Sequence, residues 1–506
     1  MTSAWDARPG QPTRVRRIRG GAEAEPAARA RRPQPVQVIE TRTAHREDGF
    51  PLGRTGIDID GVFALGLFLP MLYLSQLTSM GAAAIAAAVP LYMFVRRDRL
   101  LRMLTPRLFL FLVPAFAVFS VVWSVYPKET LRHSIELAIT VMAGLLLSSA
   151  RNQTAVLRGI ALAYAIYMVS SVVFGGYVVV GVGMGGEAFS GLTESKNLQA
   201  DIASGGLVVT AVVVMMALQS RSWLWAIGGV AAIGLDLYSV FAARSAGAVL
   251  GLAMALLAFG ALVPMVYVGK VVRAWATGMI GICLLTIGAN YQTLSQAMIN
   301  LGATIFDKDT TLTGRTYLWY RAADLMREHP VIGRGYDAFW VQGNTDAEGL
   351  WQFFGIASRD GFTFHNTYVQ TLVELGWVGL AFVILTILVA VSFLVRRFVV
   401  KPSLPLVFWM GILLYELGRT PIEVVGTLPF YFSTALVFGA LGAAFGRQHV
   451  NNNSSSSGVG AGAAAASIAT PVLVSVSPQP AADRWGRRQP TRGGLRLVKS
   501  GPEDGQ

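Results

Sequence analysis

Residues 366–395 read NTYVQTLVELGWVGLAFVILTILVAVSFLV, and Arg396-Arg397 follow at once. From Gly376 to Val395 there is no charged side chain. About 20 apolar residues carry one helix across a hydrocarbon core about 30 Å thick, so this stretch reads as a membrane span. Working outward, similar stretches lie near 61–78, 79–95, 107–126, 131–150, 160–181, 198–218, 223–242, 245–268, 274–292, 404–418 and 425–445. The first two share a tight turn at Ser79-Met80-Gly81. One long polar interval, Thr293 to Phe364, separates the ninth stretch from the tenth. The expected fold is all-α: a polytopic membrane protein of about 12 transmembrane helices, with one large, partly helical loop between helices 9 and 10.

Composition agrees. The 506 residues are 53% apolar and 14% charged, against about a quarter charged in soluble proteins. Mean hydropathy is +0.50. About 56 polar, Arg-rich residues precede the first apolar run, so no cleavable secretory signal is expected. Cys283 is the one cysteine and lies in an apolar stretch, which leaves neither an internal disulfide nor a cysteine metal site. The net charge of +13 does not indicate nucleic acid. Residues 1–56 hold 11 Arg against 6 acids, and residues 446–506 hold 7 basic against 3 acidic residues. Both tails are rich in Pro, Gly, Ala and Ser without interleaved aromatics, so 1–56 and 447–506 read as disordered tails beside anionic lipid. The transmembrane domain is 57–446.

Basic residues set the orientation. With the N-terminus in the cytoplasm, the inner loops hold Arg96, Arg97, Arg99, Arg102, Arg107, Arg151, Arg158, Arg221, Lys270, Arg273, Arg396, Arg397 and Lys401. The short outer connections hold Lys128, Arg132, Lys196, Arg244 and Arg419. That is 13 against 5, which puts both termini in the cytoplasm and the 293–364 loop outside.

The ionisable groups near the spans then collect in the outer half: Arg132, His133, Glu136, Asp201, Asp236, Arg244, Glu374, Glu416, Arg419 and Glu423. Charge at the bilayer centre costs about 2.5–3.5 kcal/mol even on the lenient scale, so such groups face a partner or a wet cavity. An outward funnel lined by arginines and carboxylates is one reading; local pairing, such as Glu416 with Arg419 at i,i+3, is the other.

Within the loop, residues 313–326 read as an amphipathic helix with Leu318, Ala322, Leu325 and Met326 on one stripe and Thr313 as N-cap. Pro330 stops it, and Gly333 and Gly335 turn the chain. Arg315 falls in the first turn, where a cation is disfavoured by the helix dipole. A bound phosphate would compensate; so would pairing with Asp307 or Asp309, or snorkelling. His365 begins a span at the outer interface, where an imidazole is placed to act as general base toward a sugar hydroxyl, or simply to cap the helix. Tyr317, Trp319, Tyr336, Trp340 and Trp351 are suited either to stacking on sugar rings or to anchoring at the interface. The scattered histidines give no metal-ligand spacing.

Several of these pieces together resemble a known family. They are Gly314-Arg315-Thr316 with Trp319, Pro330-Val331-Ile332-Gly333-Arg334-Gly335, His365-Asn366, Glu374-Leu375-Gly376-Trp377-Val378-Gly379-Leu380, and Ser239 to Gly247 with Arg244. In order and spacing they resemble the O-antigen ligase and polysaccharide polymerase superfamily, closest to its exopolysaccharide polymerase branch. Glu194-Ser195-Lys196-Asn197 keeps the Lys-Asn of that branch but lacks the histidine before it. The resemblance implies a GT-C-like glycosyltransferase with a periplasmic loop. It implies transfer of a glycan from undecaprenyl pyrophosphate to a sugar hydroxyl, with inversion and without nucleotide sugar, cofactor or obligatory metal. Carried over, Arg244 and Arg315 grip the pyrophosphate and His365 is the candidate base.

Lys196, Asn197, Arg321, Arg334, Asn366, Glu374 and Arg419 are expected as further substrate contacts. The implied setting is a Gram-negative inner membrane, with lipid-linked glycan and membrane lipid as partners and a chain-length regulator as a candidate. A polymerase is the first expectation and a ligase acting on lipid A-core the second. A lipid-linked glycan flippase or other transporter is the third; it should show repeat symmetry and broken helices with polar groups at mid-membrane.

Overall fold

The computed structural model describes residues 58–180, 186–193, 195–290, 314–359 and 361–446. The two tails, residue Glu194, and the first part of the long loop with Asp307, Asp309 and Thr313 lie outside the described residues.

The chain is a largely helical membrane protein. Seven described segments are long and apolar enough to cross a bilayer: Leu74–Val95, Leu100–Val122, Pro127–Ser149, Gln153–Phe174, Lys196–Gln219, Trp223–Ala242 and Thr367–Val400. Ile59–Leu72, Gly251–Met265 and Phe432–Ala443 are shorter apolar helices. In chain order the helices that matter here are α1 (Ile59–Leu72), α2 (Leu74–Val95), α3 (Arg97–Leu104), α4 (Leu112–Phe119), α5 (Pro127–Ser149) and α6 (Gln153–Phe174). Then come α7 (Lys196–Gln219), α8 (Trp223–Ala242), α9 (Ala246–Met265) and α10 (Lys270–Ala289). The long loop contributes α11 (Arg315–Glu328) and α12 (Thr345–Phe354), and the chain returns to the bundle with α13 (Thr367–Val400), α14 (Leu404–Arg419) and α15 (Phe432–Ala443).

The break between the first two spans falls at Thr78, whose φ is 46°, next to the turn expected at Ser79-Met80-Gly81. One expectation is corrected: the chain is not purely helical. The span expected at 160–181 stops at Phe174, and an antiparallel hairpin follows, β1 (Gly176–Val180) paired with β2 (Gly186–Gly191). Val178, Val179 and Val180 are β-branched and favour a strand once Gly175-Gly176 has ended the helix, while their hydropathy alone reads as more of the span.

Small residues on α7 bring polar groups close inside the bundle. Beside Gly206 lies Asp236 of α8, so near that a Cβ there would sit 2.9 Å from Oδ1. Elsewhere in the bundle, buried Asp60 ties three helices: it accepts from the Tyr92 hydroxyl at 2.9 Å, Arg96 at 2.5 Å and the Asn152 N–H at 3.0 Å.

The described part of the long loop is a folded cap with its own core. Leu318, Ala322 and Leu325 of α11 pack with Phe339, Leu350, Trp351 and Phe364. Met326 is partly buried against the same cluster. The cap is joined to the bundle by backbone. Arg334 N–H donates to Val373 C=O (3.1 Å) and Gly335 N–H to Glu374 C=O (2.9 Å). In return Trp377 N–H donates to Pro330 C=O (3.0 Å) and Val378 N–H to Val331 C=O (3.1 Å). This clasp needs α13 to open at Gly376, where φ is 64° and ψ −165°. A Cβ on Gly376 would collide with the Val331 backbone, and one on Gly333 (φ 69°) with the Glu374 carbonyl. Two glycines far apart in sequence make one joint possible.

Candidate functional site

Where α11, the start of α13 and the turn after α14 meet, an arginine, a glutamate and a histidine converge. Arg315 is the first residue of α11, preceded by Gly314 in the left-handed region (φ 82°) rather than by a side-chain cap. Its Nη1 donates to Ile422 C=O at 2.7 Å and its Nη2 to Glu423 Oε1 at 2.9 Å. The second oxygen of Glu423 lies 3.2 Å from Nδ1 of His365. A carboxylate only accepts, so Nδ1 is the donor of this contact, and in a neutral ring the lone pair lies on Nε2.

Local sequence builds this geometry. His365 is held at φ 47°, an uncommon conformation for a side-chain-bearing residue, and its N–H donates to Thr363 Oγ1 at 3.2 Å. Asn366 then caps α13: its Oδ1 accepts from Tyr368 N–H (2.9 Å) and Val369 N–H (3.1 Å), while Nδ2 donates to Pro421 C=O (3.0 Å). Thr367 donates its backbone N–H to Thr420 C=O and its hydroxyl to Glu423 C=O, both at 2.9 Å. The 420–423 turn is thus fixed to the start of α13, and Glu423 faces both Arg315 and His365. Burial alone would raise the Glu423 carboxyl; the facing His365, then Arg315 and Arg419, outweigh it and bring it down to about 2.

A second cluster lies just inside the bundle. Arg419 Nη1 is 2.6 Å from Asp201 Oδ1 and 2.9 Å from Glu416 Oε2. Tyr415 donates to Asp201 Oδ1 at 2.8 Å. Arg419 is buried, and the i,i+3 pairing of Glu416 with Arg419 is present together with a partner from α7. This guanidinium joins α14 to α7.

The remaining expected residues fall into three places. Asn197, at the start of α7, accepts from Ser245 Oγ at 3.0 Å, which brings Lys196 and Asn197 beside the α8–α9 turn that carries exposed Arg244 at φ 48°. Asp201 is four residues further along α7, about 6 Å of helix rise, so α7 links this turn to the Arg419 cluster. Arg321 and Arg334 sit in the cap and share Asp346, at 3.8 Å and 3.5 Å; Arg334 also pairs with Glu328. Glu374 is buried at the clasp and accepts from the Gln370 amide. Among the aromatics, Tyr336 and Trp351 are core residues, Tyr336 donating to Thr427 C=O at 2.5 Å. Trp319 donates to Phe364 C=O at 2.8 Å, and Tyr317 is exposed and lies against Phe353. A second histidine–carboxylate contact occurs where α5 meets the cap, His133 Nδ1 to Asp337 Oδ2 at 2.7 Å.

Glu423 is the residue that sequence reading left without a role. It was visible only as one of three charges around the last turn. Its partners stand 108 and 58 residues away, so nothing local marks it.

Residues 202–384 match the O-antigen ligase family. That segment includes Arg244, Arg315 and His365, and stops short of Arg419 and Glu423. Over 395 residues the chain is 29% identical to the exopolysaccharide production protein ExoQ of Rhizobium meliloti (strain 1021), a match covering 76% of this chain and 88% of that protein. The chain is therefore a largely helical membrane protein whose residues 202–384 are similar to the O-antigen ligase family and which, over most of its length, is similar to an exopolysaccharide production protein.

Proposed function

We propose that this protein is a membrane glycosyltransferase that polymerises lipid-pyrophosphate-linked oligosaccharide repeats into exopolysaccharide at the periplasmic face of the inner membrane. The observation that carries this reading is the Arg315–Glu423–His365 constellation at the seam between cap and bundle. A fixed guanidinium suits a diphosphate leaving group. An imidazole oriented by a carboxylate suits an acceptor hydroxyl.

In this reading Arg315 and Arg244 hold the pyrophosphate of the donor, whose lipid is undecaprenol. His365 takes the proton of the acceptor hydroxyl on Nε2, and Glu423 stabilises the imidazolium that forms. The acceptor oxygen bonds to the anomeric carbon as the carbon–oxygen bond to pyrophosphate breaks. The leaving diphosphate keeps that electron pair, held by the arginines. Attack opposite the leaving group inverts the anomeric centre. The chemistry assigned to these side chains needs no metal ion. The cap faces the periplasm, both tails face the cytoplasm, and about twelve helices cross the membrane in a GT-C-like arrangement. A ligase that moves the finished chain to lipid A-core is the second reading, favoured by the name of the matching family.

Purified protein supplied with undecaprenyl-pyrophosphate-linked repeats tests both. A ladder on a gel without added acceptor is expected. One discrete product that requires lipid A-core indicates the ligase, and lipid flipping without product ends the enzyme reading.

A further inference from the structure

Within the membrane, a groove of about 280 Å³ runs between α13, α14 and α15. Thr367, Thr420 and Thr427 line one end, and Ile387, Leu388 and Leu441 line the other. The threonine end adjoins the site described above: the Thr367 hydroxyl donates to the backbone of Glu423, whose carboxylate holds Arg315. The geometry points to this groove as the seat of the first isoprenoid units of the donor's lipid chain. That assignment rests on the reading of a lipid-pyrophosphate donor.

Three observations carry it. A diphosphate held at Arg315 has its lipid one bond away, so the chain must leave through an apolar exit that begins at the seam. This groove begins there. Second, Thr427 Oγ1 is buried at that end without a hydrogen-bond partner, and a phosphate-linked oxygen passing it would supply one. Third, the groove is small. A dry cavity of roughly 150 Å³ takes one benzene, so the volume here suits on the order of two five-carbon units of a single chain. Ile384 and Leu388, 42% and 61% exposed, form a side that opens to lipid, by which a long chain could enter sideways. A phospholipid of the surrounding bilayer has two chains and no diphosphate for Arg315 to hold.

Two measurements test the groove separately from the catalytic reading. The first compares a polyprenyl-linked donor with one whose pyrophosphate carries only a methyl group. Ile387→Trp fills the groove, and Leu385→Trp places the same bulk on the exposed side of α13. The ratio of kcat/KM for the two donors should fall at least about tenfold in Ile387→Trp, the scale of a lost apolar pocket contact. It should not change in Leu385→Trp. An unchanged ratio in Ile387→Trp overturns the groove while leaving the glycosyltransferase reading intact; wild-type protein that turns over neither donor sinks that reading instead.

The second measurement needs no turnover and uses wild-type protein. A polyprenyl pyrophosphate with a photoreactive diazirine on its second isoprene should label residues 383–388 and 437–441. Excess unlabelled prenyl pyrophosphate should abolish that labelling and excess phospholipid should not. Labelling confined to other helices, or removed by phospholipid alone, rejects the assignment.

Discussion

The clasp between cap and bundle and the charged seam beside it use neighbouring stretches of the same chain for opposite ends. In the clasp, Pro330–Gly335 and Glu374–Val378 meet backbone to backbone, and their side chains matter mainly by being absent at Gly333 and Gly376. In the seam, Arg315, His365 and Glu423 meet through side chains, and the backbone serves to aim them. Both stretches contributed to the family resemblance. The comparison teaches that a recurring motif here encodes either a joint or a chemical group, and that the two should fail differently when changed.

The largest effect is expected from the joint. Gly376→Ala places a Cβ against Val331 and forces a side-chain-bearing residue into a backbone region that is essentially restricted to glycine. Strain and overpacking together should cost about 3–5 kcal/mol. The readouts are a lower thermal midpoint in detergent and faster proteolysis of 314–359, with activity lost in proportion to folded protein. Normal stability in Gly376→Ala would mean that the clasp is not the joint it looks like.

Next comes the seam. Arg315→Ala should lower turnover by about 10²–10³-fold, the scale of one lost transition-state donor, while thermal stability falls far less than in Gly376→Ala. Arg334 gives the matched contrast, because its guanidinium is spent on Glu328 and Asp346 inside the cap. Arg334→Ala should act on stability, with turnover per folded molecule retained. If the two arginines swap behaviour, the boundary between joint and chemistry is drawn in the wrong place.

Glu423→Gln sharpens the seam further. It keeps the shape of the side chain but replaces charge-assisted contacts to Arg315 and His365 with neutral ones, worth about 1 kcal/mol less. A fall in kcat of about fivefold is expected, with little change in KM for donor. A change confined to KM would make Glu423 a donor contact rather than the group that orients His365.

How much of this was legible follows the same division. The apolar runs announced the helices, and the stripe of Leu318, Ala322 and Leu325 announced α11, because both depend on residues near in sequence. The hairpin was missed because a valine run is apolar as strand or as helix. Arg315 and His365 stood out by position alone, at the start of a helix and of a span. Glu423 did not, and Arg419 stood open between a funnel residue and an i,i+3 partner of Glu416, because its other partner, Asp201, is on another helix. The glycines of the clasp were noticed, yet their purpose lies in a contact across some forty residues that no spacing rule reports.

The smallest effect separates the seam's carboxylate from every other acid nearby. Glu423 has a folded pKa of about 2, and an unfolded glutamate titrates near about 4.3. The folded value is the lower one, so Glu423 contributes stability that is fully present above the unfolded pKa and lost as pH falls through the folded one. The difference in thermal midpoint between wild type and Glu423→Gln should therefore still be present at pH 5. It should shrink only below about pH 4, as the wild-type carboxylate takes up its proton. A difference already gone at pH 5 would show that another group's protonation breaks the contact, and that Arg315 and His365 do not hold Glu423 as tightly as the 2.9 Å and 3.2 Å contacts imply.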